Sequence, residues 1–313
     1  MKKRMYMCLI VFCILLFVSC DNSPSIRRIE FPVKGSMDAD LSEVNFTMNS
    51  NLKEYKVTSL KVIEIEHKKT DEEIEYLRKV FEIEDSEKDD NYDGGTVSYV
   101  QGQKKLTFYE NGMVQYVNYP INSEMYPLEI SDEEAIKQAE AFLLEWELIP
   151  DDFRFEEIME GIVTVEDNPP IIHKKMVIFR RYIGDIPVIG NCHISVSIIS
   201  SGIGEVSLAY KKYINEQEIK LTTISDAIKM IKSNDSSISI TKEGDEIEIE
   251  SVDEMFIKDI ELVYVEQAYN TEQTHVQPCY RFIGDAKDNE GEIYEFSSVV
   301  RAVPDKITYV KQK

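Results

Sequence analysis

Catalytic signatures are what this sequence most plainly lacks. No Cys-x-x-Cys pair or His-Glu-x-x-His stretch offers zinc a ligand set, and no glycine-rich loop follows a strand to cradle phosphate. No serine stands in a nucleophile elbow. Cysteine is scarce: there are five, and Cys8, Cys13 and Cys20 fall within the first twenty residues. A small scaffold stapled by disulfides needs more than the remaining Cys192 and Cys279. Positive charge is short as well, with 35 Lys and Arg against 58 Asp and Glu, a net −23. Phosphate backbones and anionic bilayers repel such a chain, which excludes nucleic acid as a partner and surface charge as a means of membrane attachment.

Apolar residues make up 43% of the chain and aromatics 10%, which suits packed domains rather than disorder. At 313 residues there is room for two or three of them. One long apolar run exists, Met5 to Val18, preceded by Lys2, Lys3 and Arg4 and ending at Ser19-Cys20. It is shorter than the roughly 20 residues of a spanning helix. A basic head, an apolar middle and a small residue before the cut form the layout of a secretory signal, predicted here over residues 1–19. Phe17-Val18-Ser19-Cys20 resembles the bacterial lipobox. That resemblance implies that Cys20 is lipidated and that acyl chains hold the protein to the membrane from its extracytoplasmic side.

Residues 20–50 are polar and read as the lipidated cysteine and a tether that joins the first sheet near Val44 or Lys56, so deleting residues 21–51 is expected to shorten reach without unfolding residues 131–303. One pattern then recurs three times: a hydroxyl residue, an acid three positions on, and apolar residues at helical spacing. Thr70 and Glu73 lead into Ile74, Leu77 and Phe81; Ser131 and Glu134 into Ala135, Ala139, Phe142, Leu143 and Trp146; Thr223 and Asp226 into Ala227, Ile228 and Ile231. Alternating strands follow each helix, with Asn111-Gly112 as a two-residue hairpin signal. A repeated helix-then-meander unit predicts an α+β fold, tandem modules each with one helix packed on a curved antiparallel sheet. The predicted modules span 51–122, 123–215 and 216–313.

Arg180-Arg181-Tyr182-Ile183-Gly184-Asp185-Ile186-Pro187-Val188, then Gly202-Ile203-Gly204-Glu205-Val206, resembles PepSY-type modules and the Yyc-type regulators of bacterial two-component sensor kinases. Glu261-Leu262-Val263-Tyr264 and Val276-Gln277-Pro278-Cys279-Tyr280-Arg281-Phe282 look like the closing strands of the same families. The resemblance implies cystatin-like sheets and a non-enzymatic, extracytoplasmic modulator. It supplies no catalytic residue.

Adjacent Cys192-His193 invites a thiol-nucleophile reading, but neighbours on a strand point to opposite faces and cannot form a dyad. Cys192 and Cys279 are either a disulfide, as export would permit, or two buried free thiols. Asp89, Asn91 and Asp93 open an Asp-x-Asn-x-Asp-Gly calcium pattern whose twelfth position is Val100, where that loop wants a bidentate Glu; an acidic turn is the competing reading. No cofactor is expected. The favoured function is a lipid-anchored accessory protein that binds another envelope protein, a sensor-kinase ectodomain or a protease, through sheet edges or faces. A peptide- or solute-binding lipoprotein is the alternative, and an extracytoplasmic hydrolase the third.

Overall fold

Thr70, Ser131 and Thr223 each open a helix. The computed structural model of the chain describes residues 41–49, 52, 57–66, 69–84, 86–92, 96–110, 112–120, 126–164, 169–249, 251–267 and 273–304. Cys20 and Asp93 lie outside them. Helix α1 is Asp71–Val80, α2 Asp132–Glu145 and α3 Ile224–Lys232. In each case the hydroxyl accepts a hydrogen bond from the amide three residues on: Glu73 N at 3.2 Å, Glu134 N at 3.2 Å and Asp226 N at 3.1 Å. Glu73 returns the bond, its carboxylate accepting from Thr70 N at 2.7 Å, so two otherwise unpaired donors are satisfied reciprocally.

The strands do not stay within the modules that the sequence pattern predicts. Among the described residues there are three helices and seventeen strands, and ladder pairings link every strand to the others in one mixed sheet network. The expected tandem of separate helix-on-sheet units is therefore corrected to a mostly β fold. Strands β3 (Glu87–Tyr92), β4 (Thr96–Gln101), β5 (Lys104–Phe108) and β6 (Val114–Asn118) form an antiparallel meander after α1. Strands β7 (Phe153–Val163), β8 (Ile171–Ile183), β10 (His193–Ile199) and β11 (Gly202–Ala209) follow α2, and β11 pairs directly with β6. Two cross-strand rows run unbroken from β4 to β7: Val97, Phe108, Val114, Leu208, Ile194, Phe179, Phe155, and Tyr99, Leu106, Tyr116, Val206, Val196, Val177, Ile158. Both helices cover that face and share one core, where Phe81 beyond α1 stacks on Tyr116 at 4.3 Å and meets Phe142 of α2 at 6.1 Å. On the opposite face the row between them reads Ser98, Thr107, Gln115, Ser207, Ser195. Period-two alternation places the apolar side chains inward, but it does not name the neighbouring strand.

The β5–β6 hairpin also differs from the expected two-residue turn. Tyr109 N donates to Met113 O at 2.9 Å across a three-residue loop with Gly112 at φ +88°, where a side chain would be strained. The chain at the candidate calcium residues is strand: Asp89 and Asn91 belong to β3, paired with β4. No group of three His, Cys, Asp or Glu among the described residues is placed to hold a metal.

The second half is built on β13 (Ser237–Lys242), β14 (Asp245–Glu246), β15 (Glu254–Glu266), β16 (His275–Lys287) and β17 (Ile293–Arg301), with α3 burying Ala227 and Ile231 against it. Two further strands run parallel to β15: β1 (Asn45–Met48) along its beginning and β9 (Ile186–Gly190) along its end. A ribbon of β2 (Ser59–Glu66) and β12 (Lys212–Lys220) joins the halves, β2 also pairing with His275 and Val276 of β16. Residues 41–49 do join a sheet near Val44, but it is that of the second half rather than the first, and Leu41 and Val44 are fully or almost fully buried in the second core.

Candidate binding surfaces and the buried polar junction

The Arg180–Val188 text marks where the halves meet. β8 turns at Gly184-Asp185, with Gly184 at φ +64°, and β9 pairs Val188, Ile189 and Gly190 with Tyr264, Val265 and Glu266. Gly190 sits at φ +88°, and a Cβ there would lie 2.3 Å from the Glu266 carbonyl oxygen, so no other residue fits. Asn191 N donates to that same oxygen at 2.8 Å.

Around this crossing lies a cluster of charged and polar side chains that the sequence reading does not single out as a site. Arg181 Nε donates to Asp152 Oδ2 at 2.6 Å and its Nη1 to the Lys211 carbonyl at 2.7 Å, while the guanidinium stacks 3.5 Å from the Tyr213 ring centre. Tyr213 donates its hydroxyl to Glu266 Oε2 at 3.4 Å. Lys211 Nζ donates to Gln273 Oε1 at 3.5 Å, and Gln273 Nε2 donates to the Val265 and His275 carbonyls at 2.9 and 3.0 Å. Glu266 is 1% exposed and Lys211 5%. Burial pushes the Glu266 carboxyl up, against the pull of Lys211, and pushes Lys211 down. The cluster thereby disfavours charge at both. Two sequence signals point to it: Glu266 ends the apolar run Leu262–Val265, and Lys211 stands between Tyr210 and Tyr213.

Cys192 borders this cluster and Cys279 lies on β16; both are buried with free thiols. Burial raises the Cys192 thiol well above its ordinary range, Glu266 adding to it, and burial pushes Cys279 up to about 12. A thiol held protonated is a poor nucleophile. His193, on β10, has its imidazole pushed down by burial and by Arg180, and His275 shares a hydrogen bond with Thr274 at 2.9 Å.

The native state holds the Glu266 proton more tightly than the unfolded chain, so it binds more protons above the free value of 4.5. Its contribution to stability therefore falls as pH rises from there, and flattens once the native carboxyl has ionised. The parent should lose ground against Glu266→Gln as pH rises above about 4.5 in denaturant titrations, a slope that linkage requires. A difference that does not move with pH would show Glu266 ionising as it does in water.

Two surfaces face outward. Strand β7 is eleven residues long and pairs with β8 alone among the described residues, which leave its outer edge open. Phe155, Met159 and Ile162 on it are exposed, the last at 58%. The second is a groove of about 480 Å³ lined by Ser239, Thr241, Lys258, Arg281, Glu295 and Ser297, among others, on the C-terminal sheet.

No family model and no curated protein matches this chain. Among solved structures, an uncharacterized protein from Eubacterium rectale ATCC 33656 is similar over 85% of this chain and 91% of its own, with 13% identity and a TM-score of 0.47. YycH from Bacillus subtilis is similar over 80% of this chain and 53% of its own, with 15% identity and a TM-score of 0.39. This chain therefore spans about half the length of YycH. Both likenesses are distant.

Proposed function

We propose that this protein is a non-catalytic, lipid-anchored accessory protein that works on the extracytoplasmic side of a bacterial membrane by binding another envelope protein, a sensor-kinase ectodomain or a protease. The observation that carries the binding role is the open edge of β7. An unpaired edge of this length presents a row of backbone donors and acceptors that an extended segment can complete. Its charge selects the partner. Glu156, Glu157 and Glu160 against Arg154 leave the strand acidic. A second copy laid antiparallel over Ile158 would set Glu156 against Glu160 and repel. An extended segment of another protein, apolar residues alternating with Lys or Arg, fits better. The lipobox at Cys20 supports the location, and the protonated Cys192 thiol supports a role without catalysis.

A photo-crosslinking residue at Met159, activated in whole cells, should join the protein to a Lys- or Arg-bearing extended segment of one envelope protein, mapped by mass spectrometry. Adding Ile162→Lys should abolish that adduct while leaving stability within about 0.5 kcal/mol, the range of surface substitutions. An adduct that survives Ile162→Lys, or one mapped to a helix, removes the β7 edge from consideration. A second activity, capture of a peptide or small solute, is favoured by the groove on the C-terminal sheet.

A further inference from the structure

Building on that second reading, we propose that the groove takes a short extended peptide with both ends free, its carboxylate on Arg281 and its amino group on Glu295. The groove has a structural cause. Lys258 is the extra residue of a bulge between Ile257 and Asp259, and bulges bend a strand and sharpen its twist. Opposite it, a Cβ on Gly284 would lie 2.0 Å from the Phe256 carbonyl oxygen, so the two backbones close up here because residue 284 has no side chain. Ser239 and Ser297 face each other across β13 and β17, and their short side chains leave depth between the longer Lys258, Arg281 and Glu295.

The polar groups left over define the ligand. Arg281 Nε donates to Ser297 Oγ at 3.2 Å, which orients the guanidinium. Its Nη1 stands 3.7 Å from Glu261 Oε2, beyond hydrogen-bond reach, so the planar fork retains donors for a carboxylate, which it suits bidentately. Lys258 is engaged, 2.6 Å from Asp285 Oδ1. At the other end Glu295 pairs across the strands with Thr241, and the side chains of Ser239, Thr241 and Glu295 have no partner among the described residues. Arg281, ion-paired loosely with Glu261 but with donors to spare, and the carboxylate of Glu295 are thus separated along the groove. Arg281 is opposite Val299, and Glu295 lies four residues further along β17. At about 3.3 Å per residue that is about 13 Å, the reach of an extended chain of four residues. Multiply charged anions such as phosphates are disfavoured, because the Glu261 carboxylate stands 3.7 Å from the fork.

Full-length protein extracted in detergent is titrated calorimetrically with tetra-alanine, its C-terminal amide and its N-acetyl form. Tetra-alanine should bind with Kd on the order of 1 mM or tighter. Amidation should weaken binding by about tenfold or more, as loss of a charge-assisted pair predicts. Arg281→Gln should weaken the free acid equally and erase the acid–amide difference. Glu295→Gln should erase the discrimination against the acetylated end. Both side chains are solvent-exposed enough that the melting curve should match the parent, and should Arg281→Gln fail to fold, the acid–amide comparison on the parent still decides. Equal binding of acid and amide by the parent would overturn the assignment of ends while leaving peptide capture standing. No heat with any of the three peptides would overturn both.

Discussion

Replacing Arg181 by alanine is expected to destabilise the native state by about 3 kcal/mol, because a buried cation is removed from a partner that cannot follow it. Arg181 is 7% exposed and joins three chain segments: Asp152 before β7, the Lys211 carbonyl beyond β11, and the Tyr213 ring on β12. Losing it leaves the Lys211 carbonyl without its donor and strips a planar group from an aromatic face. The expected value sits at the low end of the range for broken buried pairs because the Asp152 side chain is 36% exposed and water can reach it. Arg181→Lys should recover only part of the loss, since an ammonium can neither stack nor make the two-pronged contact. Arg154 gives the contrast. Its pair with Asp185 at 3.4 Å is exposed on both sides, so Arg154→Ala should cost about 1 kcal/mol or less. Denaturant midpoints of the three variants decide the matter. If Arg181→Ala and Arg154→Ala lose equally little, the junction is held by backbone pairing and the polar cluster is incidental to it.

This cluster shows where sequence reading stops. Capping is local: Thr70, Ser131 and Thr223 carry their partner three residues away, and all three helices begin where that spacing puts them. Sheet partnership is not local. Val114 and Tyr116 alternate with polar neighbours whether their other edge meets β11 or nothing, and only the register with Leu208 and Val206 distinguishes the two. The same holds for β2, which follows the pattern of a first-module strand yet pairs with β12, some 150 residues away in sequence. Buried charge is the third failure. Arg181, Lys211 and Glu266 have the composition of a solvated surface, and nothing in the text at any one of them announces the other two. What brings them together is β9 leaving one sheet to run along β15, a step that the left-handed conformations of Gly184 and Gly190 permit.

Deleting residues 21–51 should abolish the cooperative melt of the C-terminal half rather than merely shorten the reach of an anchor. Leu41 is 0% exposed and Val44 3%, both packed in the core that α3 covers. Asn45–Met48 then lies parallel to β15 in register from Glu254 to Ile257, its ends fixed by Asn45 N donating to Asp253 O at 3.1 Å and Asn49 N to Ile257 O at 3.0 Å. Lys232 at the end of α3 reaches over the Phe46 ring at 5.3 Å, so the segment is clamped between helix and sheet. A single Leu41→Ala change should cost about 3 kcal/mol, within the range measured for buried leucines. The deletion adds the loss of Val44 and exposes the β15 edge, and together these approach the whole stability of an ordinary domain, about 5–15 kcal/mol. Entry into a sheet near Val44 is legible in the sequence, but the burial of Leu41 is not: two buried apolar side chains three apart among Asp40, Ser42, Glu43 and Asn45 match neither a strand nor a full helical stripe. The measurement is a melt followed by near-ultraviolet signal in the parent, Leu41→Ala and the deletion. A deletion that melts as cooperatively as the parent, at the same temperature, would place Leu41 and Val44 outside the core and return residues 41–49 to the role of a tether.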